Sequence, residues 1–190
     1  MNARPASIAS DNLPLAIEPP SFQEPVSEAA SALLEQCAAF IQCVPLAAYA
    51  AESRTIQGGT IGKHIRHTLD HFRAAMEGAH GRIIDYDHRQ REVPMETEPT
   101  EALEAIARLR DQLSMLAAQR LHAPVRIRVM LTGDGVEAEL GSTLARELAF
   151  ATHHAVHHHA MLGAIAAEMG IAIAPGFGKA PSTIRHDRCE

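Results

Sequence analysis

Apolar residues recur every three or four positions over much of the chain, and four stretches keep that period long enough to predict helices. The first starts near Val26 and runs through Leu33, Leu34, Cys37, Phe40 and Ile41 until Pro45, whose ring and missing N–H kink or end a helix. The second covers about 60–78: it follows the Gly58-Gly59 break, takes Thr60 as its N-cap, and lays Ile61, Ile65, Leu69, Phe72 and Met76 along one side. The third opens at Thr97 with Pro99 in its first turn, buries Leu103, Ile106, Leu109, Leu113 and Leu116, and ends near Leu121. The last covers about 142–169 and stops at Gly170. Between the third and the last the period changes to two. Val125, Ile127, Val129 and Leu131 alternate with Arg126 and Arg128, and Val136, Ala138 and Leu140 alternate with Glu137 and Glu139, on either side of Gly133-Asp134-Gly135. That pattern predicts a β-hairpin with Arg128 opposite Glu139.

The expected fold is therefore mainly α, a helical bundle with one hairpin between its third and fourth long helices. Residues 1–24 carry Pro5, Pro14, Pro19 and Pro20 without a sustained period and predict a flexible arm; 25–170 form the domain; 171–190 form an irregular tail that folds back over the helices. A chain of 190 residues suits one core. With 4% aromatic residues and no tryptophan, that core must be built from Leu, Ile, Val, Met and Ala.

Charge narrows the partners. A net charge of −6 with no long run of lysine and arginine leaves no electrostatic footprint for nucleic acid or an anionic membrane. The longest apolar stretches, such as 160–167, fall well short of the roughly 20 residues a membrane span requires. No basic segment followed by an apolar run opens the chain, so a soluble cytoplasmic protein is expected. Cys37, Cys43 and Cys189 have no CxxC spacing and suit reduced thiols, the first two as core filler.

Histidine changes the picture. Of twelve histidines, eight fall in two windows, 64–71 and 153–159. At roughly 100° per residue, Leu144, Leu148, Leu162, Ile165 and Met169 share one face of the last helix. His154, His158 and Glu147 fall within that face, whereas His153 and His157 fall toward Arg146 and, with His159, read as a His-rich tract. Spacing of four places His154 and His158 one turn apart, as a helix offers two ligands to one metal. On the second helix, Lys63, Arg66, Asp70, Arg73 and Glu77 form the solvated stripe. His64, His67 and His71 lie between it and the core stripe, with His64 and His71 nearer the core edge. Two histidines from one helix and one from another make a three-nitrogen site with an open position, the arrangement of a catalytic metal. Several buried imidazoles without partners would be costly, which argues for a cation among them.

The segments TIGKHIRHTLDHF and ELAFATHHAVHHHAMLGAI resemble the two histidine-bearing segments of the DinB/YfiT-like superfamily, over about residues 26–170. Members of that superfamily are four-helix bundles with a three-histidine metal site. The resemblance implies His67 as the ligand on the second helix and His154 and His158 on the last, with His71 and His64 in reserve. Characterised relatives include thiol-dependent transferases and isomerases that use low-molecular-weight thiols. The implied activity is a divalent-metal-dependent enzyme of that kind or a hydrolase, acting on a small-molecule substrate.

Three imidazoles leave a divalent ion most of its charge, enough to bring the pKa of a bound water or thiol to about 7. Zinc, nickel and iron all suit such ligands. Glu147 or Asp70 would act as general base or orient a ligand histidine. Tyr86, Arg89 and Arg91, in the polar loop after the second helix, would grip an anionic substrate. A non-catalytic metal-binding stress or sensor protein is the alternative, and a fourth ligand such as His71 would favour it. A hemerythrin-like oxygen carrier would need bridging carboxylates, and only Glu147 lies in line. A homodimer through the helix faces is allowed by the pattern.

Overall fold

The computed structural model describes residues 24–81, 83–88 and 92–189; the expected arm lies outside them except for Glu24, as do Arg89 and Arg91. The four long helices are α1 (Glu24–Cys43), α3 (Ile61–Ala79), α4 (Pro99–Ser114) and α6 (Leu144–Glu168). Short helices α2 (Leu46–Tyr49) and α5 (Ala118–Leu121) follow α1 and α4, and α7 (Pro181–Asp187) lies in the tail. The strands are β1 (Ile84–Asp85), β2 (Pro124–Met130) and β3 (Glu137–Thr143). The fold is mainly helical with one small sheet. Among the described residues no helix is long and apolar enough to cross a membrane.

Each long helix touches two others: α3 packs on α6 and α4, and α1 packs on α6 and α4. Their apolar stripes meet in one core containing Leu34, Phe40, Ile65, Leu69, Phe72, Ile106, Leu109, Leu148 and Leu162. The hairpin pairs in the expected register, with Arg128 opposite Glu139 and an N–O distance of 2.9 Å. Two features of the sheet were not expected. β1 adds in parallel to β2, with α4 and α5 as the crossover. β3 runs on to Thr143, so the last helix begins at Leu144 rather than near 142, with Thr143 as its N-cap. The third helix is also shorter than its apolar stripe: it begins with Pro99 in its first turn and ends at Ser114, leaving Leu116 outside it.

Two anchors set the start of α3, and so the height of its histidines. The Thr60 side chain accepts from the Lys63 N–H at 3.0 Å, the expected N-cap. The loop before it is tied to the end of α6. Glu168 accepts from the backbone N–H of Arg54 (2.8 Å) and Thr55 (3.0 Å) and from the Ser53 hydroxyl (2.8 Å), which holds its carboxyl down at about 2.

The tail is not irregular throughout, since Pro181 starts α7 and pre-sets its first turn. It does return to the helices: Phe177 stacks between Phe40 of α1 (4.8 Å between centroids) and His159 of α6 (4.6 Å). His159 is therefore not part of an exposed tract; it is fully buried, and neither ring nitrogen has a hydrogen-bond partner among the described residues. Gly178 makes this close approach possible. Its φ is +74°, and a Cβ there would lie 2.6 Å from the Ala160 backbone nitrogen.

Burial lowers the His159 pKa from 6.5 to about 4. Above pH 6.5 the ring is neutral folded and unfolded, and it adds no pH dependence. As pH falls toward about 4 the unfolded chain takes the proton first, so stability drops, by up to about 3 kcal/mol from this ring. Denaturant titrations between pH 7 and pH 4 should show a shallower loss for His159→Phe than for wild type. An identical loss would show that the ring titrates normally.

Cys37 is buried and its thiol is pushed up to about 12, which suits the expected core filler. Cys43 differs: as the last residue of α1 it is exposed.

Candidate metal centre

The second helix and the last helix face each other, and their histidines meet. His67 Nε2 lies 2.9 Å from His154 Nε2, which lies 3.1 Å from His158 Nε2. His71 joins them: one ring nitrogen from each of His67, His71 and His154 lies within 4.8 Å of the other two. His71 Nδ1 faces the His67 carbonyl at 2.9 Å, one turn back on its own helix, which leaves Nε2 to point away from the backbone. His158 Nδ1 is 3.1 Å from His64 Nδ1. The inward pair of the last helix and the three border histidines of the second thus fall in one cluster, while His153 and His157 are exposed.

Burial favours the neutral form of two rings in the cluster. Burial, with the His154, His64, His157 and His71 rings close by, pushes His158 down to about 3. Burial and His157 lower His64. Neutral imidazoles are the form that binds metals. A ring nitrogen offers either one proton or one lone pair, so His154 Nε2 cannot make two good hydrogen bonds to two other ring nitrogens. A divalent cation among the lone pairs removes that conflict, and the donor set of neutral nitrogens fits zinc, nickel or iron.

One wall of the cluster is aromatic. Tyr86 stacks on His71 with centroids 5.1 Å apart, and Phe150 stacks on His154 at 5.8 Å. Tyr86 is buried, and its hydroxyl donates to Glu147 Oε2 at 2.7 Å, so it is neither a solvated loop residue nor a free hydroxyl for an anion. The bond to Glu147 and burial both raise the Tyr86 pKa. Glu147 is fully buried, as its place on the apolar face requires, and also accepts from Ser142 Oγ at 2.5 Å and Arg146 at 2.8 Å. It reaches the histidines through Tyr86. Arg146 remains largely exposed, with its guanidinium 5.5 Å from the Phe150 ring centre.

Asp70 belongs to another network. It pairs with Arg66 (3.1 Å) and Arg73 (3.3 Å), and Arg66 continues to Glu96 at 2.8 Å. The stripe expected to be solvated is in part covered, because a 3-10 turn at Pro94–Glu96 packs against α3. Nothing in the helical period of residues 61–79 announces that cover. The Glu147–Tyr86 contact was equally hidden, since the partners are 61 residues apart.

No family model matches the chain, and no solved structure matches it. FK506-binding protein 5 of Rhizopus delemar (strain RA 99-880) is 30% identical to it over 105 residues, 55% of this chain and 27% of that protein. The chain thus spans about a quarter of the length of this curated relative.

Proposed function

We propose that the chain is a DinB-like four-helix bundle that holds one divalent metal ion. On that ion it would run the chemistry of a thiol-dependent transferase or isomerase, or of a hydrolase, in the cytoplasm. One observation carries the reading: ring nitrogens from two separate helices converge on one point, close enough together to share one ion. His67 and His154 take part in every arrangement these distances allow. His158, beside His154, and His71, within reach of both, supply the remaining nitrogens.

A divalent ion held there supplies Lewis acidity, which acidifies a coordinated water or thiol and polarises a substrate oxygen. The chain's own residues do the rest. Phe150 and Tyr86 pack edge to face and form one aromatic wall beside the histidines. Glu147 holds the Tyr86 hydroxyl and so fixes the ring stacked on His71. Arg146, exposed beside Phe150, offers a cation to an anionic small-molecule substrate such as a low-molecular-weight thiol bearing a carboxylate.

The place of His71 favours a second reading. If both His71 and His158 coordinate with His67 and His154, the four nitrogens close the site, and the ion would stabilise or report metal supply rather than catalyse. Metal content of tag-free protein, measured by mass spectrometry, tests both. Near one ion per chain, kept in either His71→Ala or His158→Ala, supports the open catalytic site; loss in both variants supports the closed one. A wild type that stays metal-free after reconstitution sinks the metal centre altogether.

A further inference from the structure

We infer that His64 is a positioning residue: it accepts a hydrogen bond from His158 Nδ1–H and thereby turns the lone pair of His158 Nε2 toward the metal site. This rests on the proposed metal centre with His158 Nε2 as a ligand. Ligand histidines are commonly held from behind by a carboxylate or a backbone carbonyl, which accepts the far N–H and fixes the tautomer. Among the described residues there is neither behind His158: the group facing its Nδ1 is His64 Nδ1, at 3.1 Å.

The proton count follows from ring chemistry. A neutral imidazole carries one N–H. His158 needs its Nε2 lone pair free on the side of His154 and His67, so its proton sits on Nδ1. Two N–H groups cannot face each other at 3.1 Å, so His64 presents a lone pair at Nδ1 and carries its own proton on Nε2.

That nitrogen is buried and has no hydrogen-bond partner among the described residues. It is also closely covered: a Cβ on Gly59 would lie 3.1 Å from it and 2.9 Å from Ile56 Cγ2. The glycine that precedes the N-cap of α3 thus leaves the room in which the His64 ring stands. An unsatisfied buried N–H costs about 1–3 kcal/mol.

The test uses full-length protein with 15N-labelled histidine and two readouts. Long-range 15N–1H correlation spectra of metal-free protein report which nitrogen of His158 bears the proton. Competition with a chromophoric chelator reports zinc affinity. The wild type should carry the His158 proton on Nδ1. In His64→Asn, whose Oδ1 falls near the former Nδ1 and can accept the same bond, the proton should stay there and zinc affinity should stay close to wild type. In His64→Leu the proton should redistribute to Nε2 and zinc affinity should fall by roughly 10–100-fold. Gly59→Ala, which keeps both rings and presses on the far side of His64, should weaken zinc in the same direction. A Nε2 proton on His158 in the wild type, or equal zinc affinity in His64→Leu and His64→Asn, overturns the inference. A wild type that takes up no zinc removes the metal centre, and the proton position then decides by itself whether His64 orients His158.

Discussion

Replacing His154 with alanine is expected to take the protein from about one bound divalent ion per chain to none. His154 is the ring the others share. Its Nε2 lies 2.9 Å from that of His67 and 3.1 Å from that of His158, and its ring centre is 4.0 Å from that of His71. Removing it takes a nitrogen from every plausible ligand set, so the loss should exceed the roughly 10–100-fold that outer-shell changes produce. Thermal unfolding gives a second readout. An ion that binds only the folded state at 100 times its dissociation constant adds about 2.7 kcal/mol. Zinc should therefore raise the melting temperature of the wild type and leave that of His154→Ala unmoved. Equal zinc-dependent shifts in both proteins would place the bound zinc elsewhere, with the exposed His153 and His157 as the first suspects.

Gly62→Ala should be the most damaging small substitution. A Cβ at this position would lie 2.0 Å from the Glu96 carbonyl oxygen, 2.6 Å from its carbon and 2.8 Å from Tyr49 Cε1. A backbone carbonyl cannot swing aside as a side-chain tip can. The segment that carries it is also held from two sides: Tyr49 donates to the Met95 carbonyl at 2.8 Å, and the Glu96 carboxylate pairs with Arg66. Relief requires α3 to move at the end that carries His64 and His67. The cost should reach or pass the roughly 3 kcal/mol upper range of overpacked cores. For a chain of this size that is a fall of about 6–12 °C in melting temperature. Zinc affinity should fall with it. A variant that melts with the wild type would mean that α3 and the 94–96 turn do not pack this closely.

The difference between what the chain announced and what it concealed can be followed through particular residues. His154 and His158 were readable because helical geometry relates sequence spacing to angle, and an apolar stripe marks which angle is inward; His67 came from the resemblance alone, since the wheel sets His64 and His71 nearer the core edge. The same rule placed Glu147 inside and His153 and His157 outside. The hairpin was readable for a similar reason: a period of two around Gly133-Asp134-Gly135 fixes both the turn and the Arg128–Glu139 register.

His159 shows where that reasoning ends. Its angle on α6, close to that of Leu148, sets it at the edge of the apolar face, but its cover comes from Phe177, eighteen positions later, in a tail whose return depends on the backbone contact at Gly178. Arg66 and Asp70 read as solvated for the same reason, since the turn that covers them belongs to another segment. Local period and spacing, being properties of neighbouring residues, determined by themselves the long helices, the hairpin and the inward pair His154 and His158. Only the tertiary structure decided which histidine nitrogens meet, that Tyr86 joins Glu147 to the cluster, and that His64 stands behind His158. Those relations depend on distances between helices that no single helix encodes.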